Sequence, residues 1–334
     1  MKIDWGKLGF SYMPVKSHIR HTYENGAWDK GTLCHEHTIT LPIAATCLHY
    51  GQAAFEGLKA FRCKDGQVRV FRPDENGERL NMTLRHILAP EVPRELFLEA
   101  VRRVVRDNID FVPPYGTGGS LYIRPLHIGA SAQIGIAPSA KYEFIVLVTP
   151  VGSYYKGGIT PVDALVVEDF DRTAPKGTGH IKVAGNYAAS LKPSKIAKEK
   201  GFEVALFLDS KTHEYVEEFG TSNFIGITKD GVYVTPDSQS ILGSITNKSL
   251  MQIAKDLGIP VERRAVHKDE LGDFAEIGAC GTAVVITPVR RITIGDKTYN
   301  YGEACGPILR RLYEEVQGIQ YGERIDRHSW MMDI

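Results

Sequence analysis

The chain has 334 residues, 43% of them hydrophobic, which is enough for two domains with full cores and no need of disulfide or metal staples. Lysine plus arginine equals aspartate plus glutamate at 40 each, so the charge balance asks for neither nucleic acid nor an anionic membrane. Five cysteines without C-x-x-C spacing read as free thiols, and neither a signal-like start nor a membrane-length apolar run is present, so a soluble cytoplasmic protein is expected.

In chain order, "LKAFR" and "QVRVFR" flank "CKDG" and predict a β-hairpin with a glycine turn. "ENGERLNMTLRHIL" and "PRELFLEAVRRVVRDNI" predict amphipathic helices, the second with Leu96, Ala100, Val104 and Ile109 near helical spacing. "SLYIRPLHIG" and "YEFIVLVTP" predict strands, the latter apolar enough to be buried on both faces. "VGSYYKGGITP", residues 151–161, is rich in glycine and is read as a linker. It would separate an N-terminal small α/β domain, 1–150, from a larger domain, 162–334. Beyond it, "VDALVVE", "EVALFLDS", "YVEEFGTSNFIGIT", "VYVTP", "AEIGAC" and "AVVITPV" predict strands. "NYAASLKPSKIAKEKG" predicts a helix that Pro193 must kink or delay. "ITNKSLMQIAKDLG", with Leu250, Ile253, Ala254 and Leu257 on one face, and "GPILRRLYEEVQG" complete the helices.

Four short stretches carry candidate chemistry. "GHIKVAGNY", residues 179–187, sets Lys182 among small residues. A confined lysine loses ammonium hydration, its pKa falls, and it becomes an amine able to condense with an aldehyde. Taken alone, a structural cap or ion pair is the commoner explanation. "LGSITNKSL", residues 242–250, opens a helix with free N–H groups and the positive end of its dipole, an anion site, although Thr246 could simply cap that helix. "GACGTAVV", residues 278–285, lets backbone come close to a ligand near Thr282 or makes an ordinary tight turn. Arg72, ending a strand, could clamp a phosphate or lie on the surface. In "YVEEF", Glu217 and Glu218 point to opposite faces of a strand, so one at most is expected to face a buried site. That one would need a cationic partner, such as a protonated pyridine nitrogen.

Beyond these parts, the ordered segments "HYGQAAFEGLKAF", "VRVFRPDENGERL", "LYIRPLHIG", "PVGSYYKGG", "IKVAGNYAASL", "EEFGTSNFIGI", "ILGSITNKSL", "GACGTAVVITPV" and "IQYGERIDRHSWM" resemble the fold-type IV pyridoxal phosphate enzymes, most closely the branched-chain amino acid aminotransferases. The resemblance runs from about Trp28 to the C-terminus. It implies a two-domain α/β fold with pyridoxal 5'-phosphate in the interdomain cleft. It implies transfer of the amino group of L-leucine, L-isoleucine or L-valine to 2-oxoglutarate in two half-reactions. Lys182 stands where the family has its Schiff-base lysine. Tyr187 would meet the cofactor's phenolic oxygen, and Glu218 its pyridine nitrogen. Arg72, Ile245, Thr246 and Thr282 would hold the phosphate. Backbone near Thr282 and Ala283 would meet the α-carboxylate. Tyr50, Phe55, Tyr122 and Tyr154 would line the side-chain pocket, and Arg124 would admit the second carboxylate of glutamate.

Two departures accompany the resemblance. The chain has Leu-Gly-Ser-Ile-Thr-Asn where the family often has Leu-Pro-Gly-Ile-Thr-Arg, which puts Asn247 in place of an arginine near the phosphate. No C-x-x-C pair follows the Gly-Thr-Ala segment, so no redox switch is implied there. The alternatives are a D-amino acid aminotransferase, an (R)-amine transaminase or an aminodeoxychorismate lyase of the same fold, and, remotely, a non-catalytic pyridoxal phosphate-binding protein. The family further implies a homodimer in which a loop near "GASAQIGIAP" roofs the other subunit's pocket. The partners expected are therefore amino acids, 2-oxo acids and a second copy, with no metal, nucleic acid or membrane.

Overall fold

The computed structural model describes residues 3–152 and 159–334. The chain divides into two compact units: Met1–Tyr154, Ile181–Ala184 and Gly318–Ile334 form one, Tyr155–His180 and Gly185–Gln317 the other. Most of the expected 151–161 linker, Tyr154 included, lies outside the described residues. The expected second domain, 162–334, is divided, because the residues around Lys182 and the C-terminal tail group with the first unit. Both do so by backbone pairing. Val183 bridges Ala54, and Met331–Asp333 pairs antiparallel with Val68–Phe71.

In the first unit, the hairpin forms as predicted, with Ala60, Phe61 and Arg62 opposite Val70, Arg69 and Val68. Gly66, at φ 82°, supplies the left-handed turn residue that a side chain would disfavour. The hairpin continues through Ser120–Gly129, Tyr142–Val151 and His18–Glu24 into an antiparallel sheet. Strand period decides which side chains of Ser120–Gly129 share a face: Leu121, Ile123 and Pro125 are buried, while Tyr122, Arg124 and Leu126 are half-buried on the other side. The short strand Ala53–Phe55 adds to the same strand through Ala54–His127 and Phe55–Leu126. The helices Pro73–His86 and Arg94–Asp107 cover the buried side. The second buries Phe97, Leu98, Ala100, Val101, Val104 and Val105; Leu96 and Ile109 sit at the rim of that core.

In the second unit, Val216–Phe219, Val204–Leu208, Val162–Val166, Val285–Ile294, Phe274–Gly281 and Ser222–Thr228 pair in succession. The last pairs back to the first through Glu218–Asn223 and Phe219–Ser222, closing a barrel of mixed strand direction. Leu206, Phe219, Phe224, Ile277 and Ile292 belong to its core. The helix Ile245–Asp256 buries Leu250, Ile253 and Ala254. The stretch around Pro193 is two helices rather than one, Ala184–Ala189 and Leu191–Glu199. The second starts after Ser190, so Pro193 falls in its first turn, where a missing N–H costs nothing.

Candidate active site

Lys182 is half-buried in the first unit and fastened by its backbone. Its N–H donates to the Thr83 hydroxyl at 3.0 Å, and its carbonyl accepts from the Phe55 N–H at 3.2 Å. Its Nζ stands 4.8 Å from the centroid of the Phe55 ring. The Arg124 guanidinium carbon stands at the same distance from that ring and 5.2 Å from the Tyr122 ring. Arg124 donates to the Tyr122 hydroxyl at 2.9 Å, while its buried Nε has no hydrogen-bond partner among the described residues. One aromatic ring thus meets two cations, an arrangement suited to an apolar group with a carboxylate at one end. Tyr50 is one-third exposed and donates to the Ile134 carbonyl.

Arg72, also in this unit, takes φ 48° at the N-terminus of the helix Pro73–His86, with its N–H bonded to the Trp330 carbonyl. Its guanidinium stacks over the Trp330 ring at 4.9 Å and lies 3.3 Å from Glu75. It is therefore a positioned arginine and not a loose surface one. A left-handed residue at a helix start is uncommon for a side chain of this size.

In the second unit, both glutamates of the "EE" pair are buried, Glu217 at 3% exposure and Glu218 at 2%, contrary to the expectation of one buried carboxylate. The closed barrel leaves neither face of Val216–Phe219 to water. Glu217 accepts from the Ser238 hydroxyl at 2.8 Å, and burial pushes its carboxyl above the usual range. Glu218 takes Arg172 at 2.9 Å and the Leu242 N–H at 3.2 Å. Arg172 is itself buried. The cation that a buried Glu218 requires is thus supplied within the chain.

The helix Ile245–Asp256 is capped by Ser244, whose hydroxyl accepts from the Asn247 N–H at 3.0 Å; Thr246 is not the cap. The N–H groups of Ile245 and Thr246 then have no intrahelical acceptor and remain suited to an anion. Asn247 does not face an anion. It accepts from the Tyr233 hydroxyl at 2.6 Å and donates to the Thr235 hydroxyl at 2.8 Å, inside the core. Thr282 and Ala283 lie half-buried in the turn between Phe274–Gly281 and Val285–Ile294. Val285, at φ 65°, closes that turn in a conformation strained for a β-branched residue. Tyr187 is half-buried on the short helix Ala184–Ala189. Gly179 passes so close to the Ser240 carbonyl that a Cβ would overlap it, which explains one of the small residues before the lysine.

Reasoning from sequence missed Arg172, Glu56, Arg79 and Thr83. A lone arginine, threonine or glutamate gives no local signal of the partner it will meet. Among the described residues, no three His, Cys, Asp or Glu side chains are placed to hold a metal ion, and no helix is long and apolar enough to cross a membrane. Taken unit by unit, the first offers a positioned lysine amine, suited to an aldehyde, and the second a helix start suited to a phosphate and a buried carboxylate suited to a protonated ring nitrogen.

The comparisons agree with that chemistry. The family model described as amino-transferase class IV matches residues 53–292. A curated branched-chain-amino-acid aminotransferase of Helicobacter pylori is 46% identical over 99% of this chain and 98% of its own length. The crystal structure of the Escherichia coli branched-chain amino acid aminotransferase superposes with a TM-score of 0.81 at 27% identity, covering 95% of this chain and 98% of that one. That of the Thermoproteus uzoniensis branched-chain aminotransferase with norvaline gives 0.77 at 26% identity, covering 94% and 99%.

Proposed function

The chain belongs to the class IV aminotransferases, among their branched-chain members, and from that premise we propose that it moves the amino group of L-leucine, L-isoleucine or L-valine to 2-oxoglutarate. The products are the branched-chain 2-oxo acid and L-glutamate. The observation that carries this substrate pair is the Phe55–Tyr122–Arg124 cluster beside Lys182, an aromatic wall with a cation at one end. An aliphatic side chain packs on the rings; the distal carboxylate of glutamate meets Arg124.

Pyridoxal phosphate, when bound, supplies the carbonyl that accepts the amine and an electron-withdrawing ring. Lys182 would anchor it and serve as general base for the Cα proton. Glu218, paired with Arg172, would hold the pyridine nitrogen. Tyr187 would meet the phenolic oxygen. By the resemblance, Arg72, the Ile245 and Thr246 amides, the Thr246 hydroxyl and Thr282 would hold the phosphate. The backbone at Thr282 and Ala283 would receive the α-carboxylate. Tyr50 and Tyr154 would belong to the side-chain wall. Because both substrates use one site in turn, the kinetics are ping-pong.

A second copy of the chain is the further partner we assign. Ile134 and Ile136, 72% and 86% exposed on the loop that Tyr50 contacts, are the apolar surface it would cover. The deciding experiment is the visible spectrum of the purified protein before and after L-isoleucine, with D-alanine as control. Bleaching by the L-amino acid alone supports the reading. Bleaching by D-alanine alone moves the chain to the D-specific branch of the family. Turnover retained by Lys182→Ala refutes the assignment of the lysine.

A further inference from the structure

Lys182 is tied into a closed circuit of hydrogen bonds within the first unit. Its N–H donates to the Thr83 hydroxyl, which donates in turn to the Arg79 carbonyl one helical turn earlier, at 3.1 Å. The Arg79 side chain then reaches back to Glu56 with two parallel bonds of 2.7 Å, one from Nε and one from a terminal nitrogen. Glu56 follows Phe55, whose N–H donates to the Lys182 carbonyl. Glu56 and Thr83 are both fully buried. Asn76, on the same helix, donates to Glu56 at 2.8 Å, and the Gly57 N–H does so at 3.2 Å.

Resting on the assignment of Lys182 above, we propose that the helix Pro73–His86 positions the lysine backbone from both sides: Thr83 holds its N–H, and Glu56, held by Arg79 and Asn76, fixes the adjoining Phe55, whose N–H holds its carbonyl. Neither residue would touch substrate, so both are positioning residues. A lysine that must bond the cofactor, leave it and return as a base needs a fixed backbone under a mobile side chain. A strand edge alone would not fix it, because Val183 makes only a single bridge to Ala54.

Arg79 and Glu56 form a bidentate pair, and Arg124 faces the same Phe55 ring as Lys182. Burial alone would push the Glu56 carboxyl up. The charge of Arg79, its hydrogen bonds and the charge of Lys182 hold it below its ordinary value instead.

The test uses the holoenzyme in three variants. Thr83→Val keeps the shape and removes the hydroxyl, Thr83→Ser keeps the hydroxyl, and Glu56→Gln keeps the shape and removes the charge. In Thr83→Val, hydrogen–deuterium exchange at the Lys182 amide should quicken roughly tenfold, the size of one lost buried hydrogen bond. Its kcat should fall by a similar roughly tenfold factor, with KM for leucine little changed. Thr83→Ser should restore slow exchange. In Glu56→Gln, which loses the charge that Arg79 grips, exchange at the Phe55 amide should quicken by a similar roughly tenfold factor. Unchanged exchange at the Lys182 amide in Thr83→Val, or at the Phe55 amide in Glu56→Gln, overturns the proposal while the wild-type spectrum leaves the aminotransferase reading standing. A wild-type protein whose Lys182 is not marked by borohydride reduction of the loaded enzyme removes both together.

Discussion

Replacing Arg124 by methionine separates the two substrates. The side chain lies along the Phe55 and Tyr122 rings, so methionine retains most of the apolar surface while losing the charge. What disappears is a guanidinium with one bond to the Tyr122 hydroxyl and a buried Nε that no described group accepts from. A hydrogen bond to a charged group contributes about 1.5–3 kcal/mol. That corresponds to a rise of about 10- to 150-fold in KM for glutamate and 2-oxoglutarate. Leucine presents no carboxylate there, so its kcat/KM should change by less than about threefold. Arg124→Lys should recover part of the loss only, because an ammonium cannot form the two-pronged contact. The assay is the separate half-reaction of each amino acid with the loaded enzyme, followed by absorbance. Equal losses for leucine and glutamate would refute the role of Arg124 as the carboxylate receiver.

Three further outcomes follow from the geometry. Asn247→Arg, which restores the residue common in the family, should destabilise the second unit by more than about 3 kcal/mol, since it breaks the Tyr233 and Thr235 bonds and buries a cation; a melting temperature unchanged from wild type argues against this. Arg172→Met should cost about 3–5 kcal/mol by leaving Glu218 buried without its partner, seen as a lower denaturant midpoint, and Arg172→Lys should recover part of it. His127 lies fully buried, 5.7 Å from Trp28 and 5.2 Å from Tyr142, and burial pushes its pKa down to about 3. The unfolded chain, titrating near about 6.5, takes up this proton first, so stability is whole above that pH and falls as pH drops toward 3. The loss at pH 5 is about 2 kcal/mol, readable from urea midpoints at pH 7 and 5, and His127→Phe should flatten the difference.

Local pattern was enough to mark most of the elements. Alternation along "SLYIRPLHIG" already places Tyr122 and Arg124 on one face, and the apolar run "YEFIVLVTP" is indeed a strand buried along nearly its whole length. Helical spacing located Pro73–His86, Arg94–Asp107 and Ile245–Asp256. These signals are readable because side-chain direction repeats every 2 or 3.6 residues whatever the rest of the chain does. What packs against each face has no such period. Thr83 reaches Lys182 across 99 residues, and Glu218 meets Arg172 only because the barrel closes. Burial of both Glu217 and Glu218 follows from that closure as well, since an open sheet would have left one face wet. Ser244 displaces Thr246 as the cap, and Asn247 turns into the core, because the helix start is set by its packing on the barrel. Sequence by itself therefore determined most of the elements and which residue types are candidates for the site. Tertiary structure decided which charges are paired and which lysine backbone is held, because buried charges are neutralised by neighbours in space and not by neighbours in sequence.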